Sequence, residues 1–163
     1  GDIDLDMEAV SLFLVLGDAL QLVAGVANER NITISVPKNK MKKSPVLADY
    51  LSLNKVITNI LHNAVAVCPN YGTVAIDLEL TVENKQRLSV TDSAEQIPVD
   101  EHQNLFQAFS TFETDQVPNG MSGFELEIAS GLINLMQGRI GIENASKEGN
   151  TIWIELPLAA SNI

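Results

Sequence analysis

The sequence predicts an α/β (α+β) two-layer sandwich, in which about three helices cover one face of a mixed β-sheet. Three segments are predicted as helices, at about residues 7–28, 53–68 and 122–137. Between them, alternating segments are paired around turn residues, which predicts β-hairpins. Because helices and hairpins interleave without a linker, an internal repeat or a low-complexity run, we expect a single domain over residues 1–163.

The composition is that of a folded chain with an acidic surface. Apolar residues make up 45% and charged residues 19%, which excludes a disordered chain. Ten lysines and arginines against 21 acids give a net charge of −11. Such a surface repels nucleic acid and anionic lipid, so we expect neither as a partner. The single cysteine, Cys68, allows no disulfide within the chain, which fits the reducing cytoplasm; a longer, membrane-attached parent protein stays open.

The first helix is expected to follow a short strand at residues 1–5. Asp6 is a suitable N-cap and Glu8 adds a negative charge in the first turn, so we predict a helix from about Met7 to Asn28. Polar residues and glycines interrupt its apolar window, which favours a buried helix over a membrane span.

Two strands are expected before the second helix. Residues 31–36 alternate as a half-buried strand, and residues 45–48 form a weaker one. Between them, residues 37–44 hold four of the ten lysines and arginines, so we expect a solvated loop there.

The second helix, in the segment LNKVITNILHNAVAVCPNYG at residues 53–72, organises the rest of the chain. Its apolar residues recur at helical spacing and form one wide buried stripe, on which Cys68 is expected to lie in the core. Asn59 and Asn63 are four residues apart, so they share one flank of the helix, where a side chain can face both core and cleft. Pro69 cannot continue the helix, and the following turn leads into a strand.

The remaining chain is predicted as two hairpins that enclose a loop and a third helix. In order, the elements are a hairpin at 73–82 and 87–91, an apolar helical patch at 105–109, a polar mobile loop at 111–121, a helix at 122–137 that ends at Gly138, and a hairpin at 139–144 and 151–156.

Five landmarks in this order resemble the catalytic domain of sensor histidine kinases. They are NILHNAVAVCP against the N box NLLxNAxKFTP, VTDSAEQIP against the first glycine box VxDTGxGIP, LFQAF against the Phe box, NGMSGFELEI against the second glycine box GGTGLGLAI, and a closing hairpin that ends in LPL. The opening GDIDLDMEAV is similar to the segment that joins the dimerising helices to this domain, with residues 1–6 as the end of that linker.

The resemblance implies the Bergerat ATP-binding fold and a site for ATP and Mg²⁺. It implies that two amides hold the metal and the phosphates, that an aspartate accepts from the adenine amino group, that an apolar side chain packs on the base, and that glycines lie in the phosphate loop. Carried over by position, these residues are Asn59, Asn63, Asp92, Ile97, Gly120 and Gly123.

The sequence departs from the family at the residues nearest the nucleotide. Ala94 and Gln96 replace the two glycines of the first glycine box, and a side chain at each restricts positive φ and close backbone approach. Glu125 replaces the last glycine of the second glycine box, and Ala66 replaces the N-box lysine.

The charges in the second half of the chain are also unfavourable for binding a polyanion such as a triphosphate. No lysine or arginine occurs between Leu88 and Gly138, whereas eight acids do: Asp92, Glu95, Asp100, Glu101, Glu113, Asp115, Glu125 and Glu127. Each close like-charge pair with a triphosphate costs on the order of 1 kcal/mol or more, and one Mg²⁺ offsets only part of that. Ser122 and Glu125 fit a capping box, which would place an internal carboxylate where phosphate otherwise binds a helix start.

Two functions therefore stay open. The first is a degenerate histidine kinase domain with weak or no ATP binding, which acts by contact with the dimerisation and phosphoacceptor helices or with a response regulator. The second is a divergent but active ATP- and Mg²⁺-dependent histidine kinase domain. Another ATPase of the same superfamily, such as an anti-sigma-factor kinase, is a weaker third. His62 and His102 do not sit in a phosphoacceptor pattern, and the sequence contains no metal-ligand cluster or Walker loop.

Overall fold

The computed structural model describes residues 5–36, 45–106, 125–145 and 148–159. The elements are, in order, β1 (Met7–Val10), α1 (Leu12–Glu29), β2 (Thr33–Ser35), β3 (Val46–Asp49), α2 (Tyr50–Val67), β4 (Thr73–Leu80), β5 (Lys85–Thr91), a 3-10 helix (Val99–Phe106), α3 (Glu125–Leu135), β6 (Arg139–Asn144) and β7 (Asn150–Pro157). The predicted loops at 37–44 and 111–121 lie outside the described residues.

The main sheet is mixed, as the sequence predicts. Its strand order is β2-β4-β5-β7-β6, with β2 parallel to β4 and every other neighbour antiparallel. Alternate residues such as Ile76, Leu88 and Ile154 are buried, and the residues between them form the other face of the sheet. Since α1 and α3 both pack against α2 and all three helices contact strands of the main sheet, the predicted two-layer architecture is confirmed.

The start of the chain differs from the prediction. Residues Met7–Val10 form a strand that pairs antiparallel with β3, and the helix begins only at Leu12. Ser11, and not Asp6, is the N-cap: its Oγ accepts from the Leu14 N–H at 3.3 Å. Asp6 instead donates its N–H to Asp49 Oδ1 at 2.9 Å. Pairing with a distant strand therefore overrides a local capping signal.

The α2 helix forms where the sequence places it and lies at the centre of the core. Asp49 caps its start by accepting the Ser52 N–H at 2.8 Å. The apolar stripe is fully buried at Leu53, Ile57 and Ile60, and the helix ends at Val67, ahead of Pro69. Cys68 is buried, as predicted.

One helix among the described residues, α1, is long and apolar enough to cross a membrane by length and composition alone. Core helices pass the same test, and α1 buries Leu16, Ala19 and Val23 among other residues and packs against α2. This agrees with its prediction as a core helix.

Arg30 closes the carboxyl end of α2. Its guanidinium donates to the carbonyl of Val65 at 2.5 Å and to that of Ala66 at 3.0 Å, and it also donates to the Cys68 carbonyl. A fourth bond, of 3.3 Å, reaches Asn70 Oδ1. These carbonyls have no partner within the helix, and a cation there also complements the helix dipole.

Arg30→Ala is expected to lower the free energy of unfolding by about 2 kcal/mol, because several charge-assisted bonds to partly buried carbonyls are lost. Arg30→Lys should recover less than half of this, since an ammonium cannot span three carbonyls. Urea denaturation measures both. Arg139→Ala is the control: that side chain is 72% exposed and lies 3.9 Å from Glu155, so we expect a change of no more than about 0.5 kcal/mol. Equal losses for Arg30→Ala and Arg139→Ala would contradict the assignment.

Candidate functional site

The flank of α2 that carries the two asparagines is partly occupied by the start of α3. Asn59 is half-buried, and its Nδ2 donates to the Glu125 carbonyl oxygen at 3.1 Å. Asn63 is 5% exposed, and its amide has no hydrogen-bond partner among the described residues. The two predicted ligands therefore differ: Asn59 is bonded to α3, whereas Asn63 makes no hydrogen bond with the described residues.

Glu125 also contacts α2 through its carboxylate. Its Oε2 lies 3.1 Å from His62 Nδ1, with the two side chains 26% and 41% exposed. His62 therefore lies on the side of α2 that faces α3 while its side chain stays partly exposed. Glu125 and Glu127 occupy the first turn of α3. A helix start attracts anions, and here two carboxylates of the chain itself supply the negative charge.

Asp92, directly after β5, is buried, and one of its two carboxylate oxygens accepts several hydrogen bonds. Its Oδ1 accepts from the Ala94 N–H at 2.9 Å, the Asn150 N–H at 3.1 Å and Asn150 Nδ2 at 3.3 Å. Its Oδ2 has no hydrogen-bond partner among the described residues. The hydrogen bonds that hold the Asp92 side chain are therefore concentrated on one carboxylate oxygen.

Asn150 is the residue that sequence reasoning missed. It is 2% exposed, and besides Asp92 it binds the loop that follows: Nδ2 donates to the Glu95 carbonyl at 3.0 Å, and Oδ1 accepts the Ile97 N–H at 2.8 Å. A signal was present, because residue 150 has the same parity as the core residues Ile152 and Ile154 of β7. A polar residue at an inward-facing strand position is expected to be hydrogen-bonded.

The loop that follows Asp92 carries side chains at the positions where the resemblance expects glycine, and these side chains help to hold it in place. Gln96 Nε2 donates to the Ala145 carbonyl at 2.7 Å, and Ala94 is buried. His102 Nε2 lies 3.0 Å from the Ile97 carbonyl and 3.2 Å from Asn144 Oδ1. Ile97 itself is half-buried and packs against the core. The loop is therefore tied at several points to the hairpin of β6 and β7.

The site has two ends, which lie along α2. Cys68 Sγ is 3.7 Å from Ser93 Oγ, so the carboxyl end of α2 lies beside the residue after Asp92. Asn63 is about 8 Å before Cys68 along the helix, and Asn59 about 14 Å before it. We call the group of Asp92, Ala94, Ile97 and Asn150 the Asp92 end, and the group of Asn59, His62, Glu125 and Glu127 the Glu125 end.

Burial raises the pKa of the Asp92 carboxyl, although hydrogen bonds from Ala94 and Asn150 oppose the rise. The native state thus binds this proton more tightly than the unfolded chain. The stability contributed by Asp92 therefore falls as pH rises from its ordinary pKa of 3.8 through the raised native pKa. Asp92→Asn keeps an Oδ1 acceptor and removes the charge. We expect its unfolding free energy, relative to the wild type, to increase with pH across this window in urea denaturation.

Asp49→Asn is expected to show the opposite pH dependence. Partial burial acts to raise the pKa of Asp49, but hydrogen bonds from Ser52 and Asp6 outweigh it and hold the pKa below 3.8. Its stabilisation is present above 3.8 and is lost as pH falls through the native pKa. A pH-independent difference for both variants would contradict these assignments.

The predicted nucleotide residues differ in how they are engaged. Asn59 is bonded to the Glu125 carbonyl, and the Glu125 carboxylate lies beside His62 on the same helix. Within the described ranges, no group of three His, Cys, Asp or Glu side chains could hold a metal ion. Gly120, Gly123, Ser122 and Phe109, which the sequence assigned to the phosphate loop, the capping box and the Phe box, lie outside the described residues. At the Glu125 end, the Asn59 amide that the resemblance assigns to the metal is thus already bonded to the Glu125 carbonyl.

Comparison with known proteins gives consistent matches. The model of the histidine kinase-, DNA gyrase B- and HSP90-like ATPases matches residues 48–160. The hybrid signal transduction histidine kinase K of Dictyostelium discoideum is 31% identical over 150 residues, which are 84% of this chain and 12% of that protein. The chain thus spans a small part of this curated relative.

Solved structures share the fold. Full-length ShkA in complex with AMPPNP superposes with a TM-score of 0.80 at 26% identity, over 99% of this chain and 33% of that one. The histidine kinase ThkA, solved in complex with the response regulator protein TrrA, has a TM-score of 0.76 at 23% identity, over 94% of this chain and 42% of that one. At that identity, the likeness to ThkA concerns the fold alone.

Proposed function

Because the chain belongs to the family of histidine kinase-, DNA gyrase B- and HSP90-like ATPases and is a domain of the sensor histidine kinase type, we propose that it is a degenerate member. Its affinity for Mg–ATP is weak or absent, and it acts in two-component signalling as an interaction module. We also propose that the domain works in the cytoplasm.

One observation carries the proposal: Glu125 makes two contacts with α2. Its backbone carbonyl takes the Asn59 amide at 3.1 Å, and its carboxylate lies 3.1 Å from His62. In the family, by resemblance, a glycine stands at this position and the asparagine amide serves the metal. Binding Mg–ATP in the same way requires these contacts to break and a triphosphate to approach Glu125.

Electrostatics supports the same conclusion. Glu125 and Glu127 lie in one helical turn, and each close like-charge pair with a phosphate costs on the order of 1 kcal/mol or more at intermediate dielectric. The N-box lysine is replaced by Ala66. Arg30 is already bonded to the carbonyls of Val65, Ala66 and Cys68 at the end of α2.

Its partners in this proposal are the dimerisation and phosphoacceptor helices of the same or a partner kinase, and a response regulator. A complex of a histidine kinase of this fold with a response regulator protein exists for ThkA. Such contacts need the folded scaffold and not the nucleotide, and the scaffold is well formed in this chain.

A divergent but active kinase domain is the second candidate. Two observations favour it: the Asn63 amide and Asp92 Oδ2 both have no hydrogen-bond partner among the described residues. These are the positions that the family resemblance assigns to phosphate or metal and to adenine.

Titration with ATP or ADP, with and without Mg²⁺, separates the two candidates. A ligand at 100 times its dissociation constant stabilises a fold by about 2.7 kcal/mol, which thermal unfolding detects readily. We expect no Mg²⁺-dependent shift with ATP at millimolar concentration. A clear shift that requires both ATP and Mg²⁺ would reject the degenerate domain and leave the active one.

A further inference from the structure

The strand β6 is an edge of the main sheet. Within the described part of the chain, it pairs only with β7. The Ala145 N–H donates to the Gly149 carbonyl at 3.1 Å, and the register continues from that pair along both strands. Because hydrogen-bonded pairs alternate in an antiparallel ladder, the odd-numbered residues of β6 direct their backbone groups toward β7. The N–H and C=O groups of Ile140 and Ile142 therefore point away from the sheet, and no described residue bonds to them.

The side chains along this edge offer two kinds of contact. On the outer face of the sheet, away from the helices, the Arg139 side chain is 72% exposed and Glu143 is also exposed. Each of them lies two residues from Gly141. On the face toward the helices, Ile140 and Ile142 are half-buried against the core, so each keeps an uncovered side. An edge with open backbone groups and partly exposed apolar side chains is a template for another strand.

Trp153 brings an aromatic ring to the same edge. It stands opposite Gly141 in the ladder, and a Cβ placed on Gly141 would lie 2.4 Å from Trp153 Cζ2, so the indole ring lies over the glycine. The Arg87 guanidinium stacks on this ring at 4.2 Å from its centroid, and that of Arg139 lies at 5.9 Å. Cation–π contacts therefore hold the ring over β6, where an added strand would meet it.

The sequence of β6 is complementary to itself in the antiparallel direction. With a two-fold axis at Gly141, Arg139 of one copy stands opposite Glu143 of a second copy, and Ile140 stands opposite Ile142. Both isoleucines direct their backbone groups outward, so they form the hydrogen-bonded pairs of the new ladder. The two charged residues then occupy non-hydrogen-bonded pairs, in which facing side chains are closest and opposite charges are favourable. The other edge strand, β2, has three residues, none of them charged.

We propose that a second copy of this chain docks along β6, antiparallel and about a two-fold axis, so that the two sheets become continuous. This goes beyond the proposed function, because it requires neither nucleotide nor the dimerisation helices. One short strand from each copy buries less than the roughly 1,200 Å² of a stable interface, so the contact is weak, with a dissociation constant on the order of 0.1 mM. Repulsion between two chains of net charge −11 is largely screened beyond about 8 Å at physiological ionic strength.

Sedimentation equilibrium from about 10 μM to about 1 mM tests the association directly. We expect a monomer–dimer equilibrium without larger species, because an isologous contact closes on itself. Trp153 is the one tryptophan of the chain, so its fluorescence emission should shift over the same concentration range. Hydrogen exchange of the Ile140 and Ile142 amides should slow in the dimer, since these amides become hydrogen-bonded.

Charge reversal at the two ends of β6 tests the pairing. Arg139→Glu and Glu143→Arg each place like charges opposite one another across the axis, so each variant alone should dimerise at least about fivefold more weakly. An equimolar mixture of the two variants restores opposite charges in both pairs and should associate about as tightly as the wild type. Lys55→Glu is the matched control: it changes the net charge as Arg139→Glu does, at an exposed position of α2, and should leave dimerisation unchanged.

A proline at Ile142 tests the backbone pairing. Ile142→Pro removes an N–H that points away from the sheet, which an edge strand tolerates, and should abolish the dimer. Ile142→Val keeps the N–H and the β-branched side chain and should dimerise as the wild type does. Circular dichroism establishes that both variants are folded.

Each outcome decides the proposal. A wild type that stays monomeric at about 1 mM contradicts it. A dimer that persists unchanged in Arg139→Glu and Glu143→Arg uses another surface, and the proposal is then also wrong. A mixture of these two variants that associates no better than either alone rejects the two-fold register. None of these results bears on the degenerate domain, which the nucleotide titration tests separately.

Discussion

Glu125→Gly combined with Glu127→Ala is expected to raise the affinity for Mg–ATP by at least about tenfold. The double change removes two carboxylates from the first turn of α3 and leaves its N–H groups to an anion. It also removes the partner of His62, whose Nδ1 lies 3.1 Å from the Glu125 carboxylate, so that His62 can face a phosphate. Isothermal titration with ATP and Mg²⁺ measures the change directly.

Its control is Glu79→Ala combined with Glu83→Ala. These two acids are exposed on β4 and in the turn that follows it, so the net charge changes by the same amount on elements that are not in contact with α3. We expect less than a threefold gain, since charges beyond a Debye length are largely screened. If both double variants gain equally, long-range charge explains the effect. If neither gains, the carboxylates of α3 are not what limits nucleotide binding.

Gly149→Ala is expected to destabilise the fold by at least about 3 kcal/mol. Gly149 has a φ of +91°, and a Cβ at this position would lie 1.9 Å from the Asp92 carbonyl oxygen. Backbone atoms cannot yield as a flexible side chain does, so the hairpin and the Asp92 loop must separate. The Asp92 N–H to Asn150 carbonyl bond, 2.9 Å long, is lost with them. Chemical denaturation measures the stability, and hydrogen exchange at Asp92 measures the local opening.

Gly25→Ala is the matched control for Gly149→Ala. Gly25 lies in α1, and a Cβ there has no atom within 4 Å. Alanine in a helix interior is more favourable than glycine by about 0.5–1 kcal/mol, so this variant should be more stable than the wild type. A loss of less than about 1 kcal/mol for Gly149→Ala would show that the hairpin adapts more easily than its contacts indicate.

Local sequence patterns predicted the helices and hairpins well where one element supplies the whole signal. The stripe from Leu53 to Cys68 marked α2, and alternation marked β4, β5 and β7, because helical and strand periodicities are properties of a single segment. The same reasoning failed at Met7–Val10. That strand exists because it pairs with β3, which is about forty residues away along the chain.

For the candidate site, too, the sequence predicted individual residues but not the contacts between distant segments. The sequence pointed to Asn59, Asn63, Asp92 and Ile97 through their order along the chain and a family resemblance. It did not indicate that Asn59 bonds to the Glu125 carbonyl, that His62 faces α3, or that Asn150 orders the Asp92 loop. Each of these is a contact between residues more than fifty positions apart, which no local pattern encodes.

By itself, the sequence determined the layered architecture, the helix that carries the asparagines, the family and the excess of acids around the predicted site. Only the tertiary structure decided that the Asn59 amide is bonded to α3, that Asp92 is held through one carboxylate oxygen and where Glu125 lies. The physical reason is that periodicity and charge count are carried by the residues themselves, whereas hydrogen-bond partners depend on which distant segments the fold brings within about 3 Å.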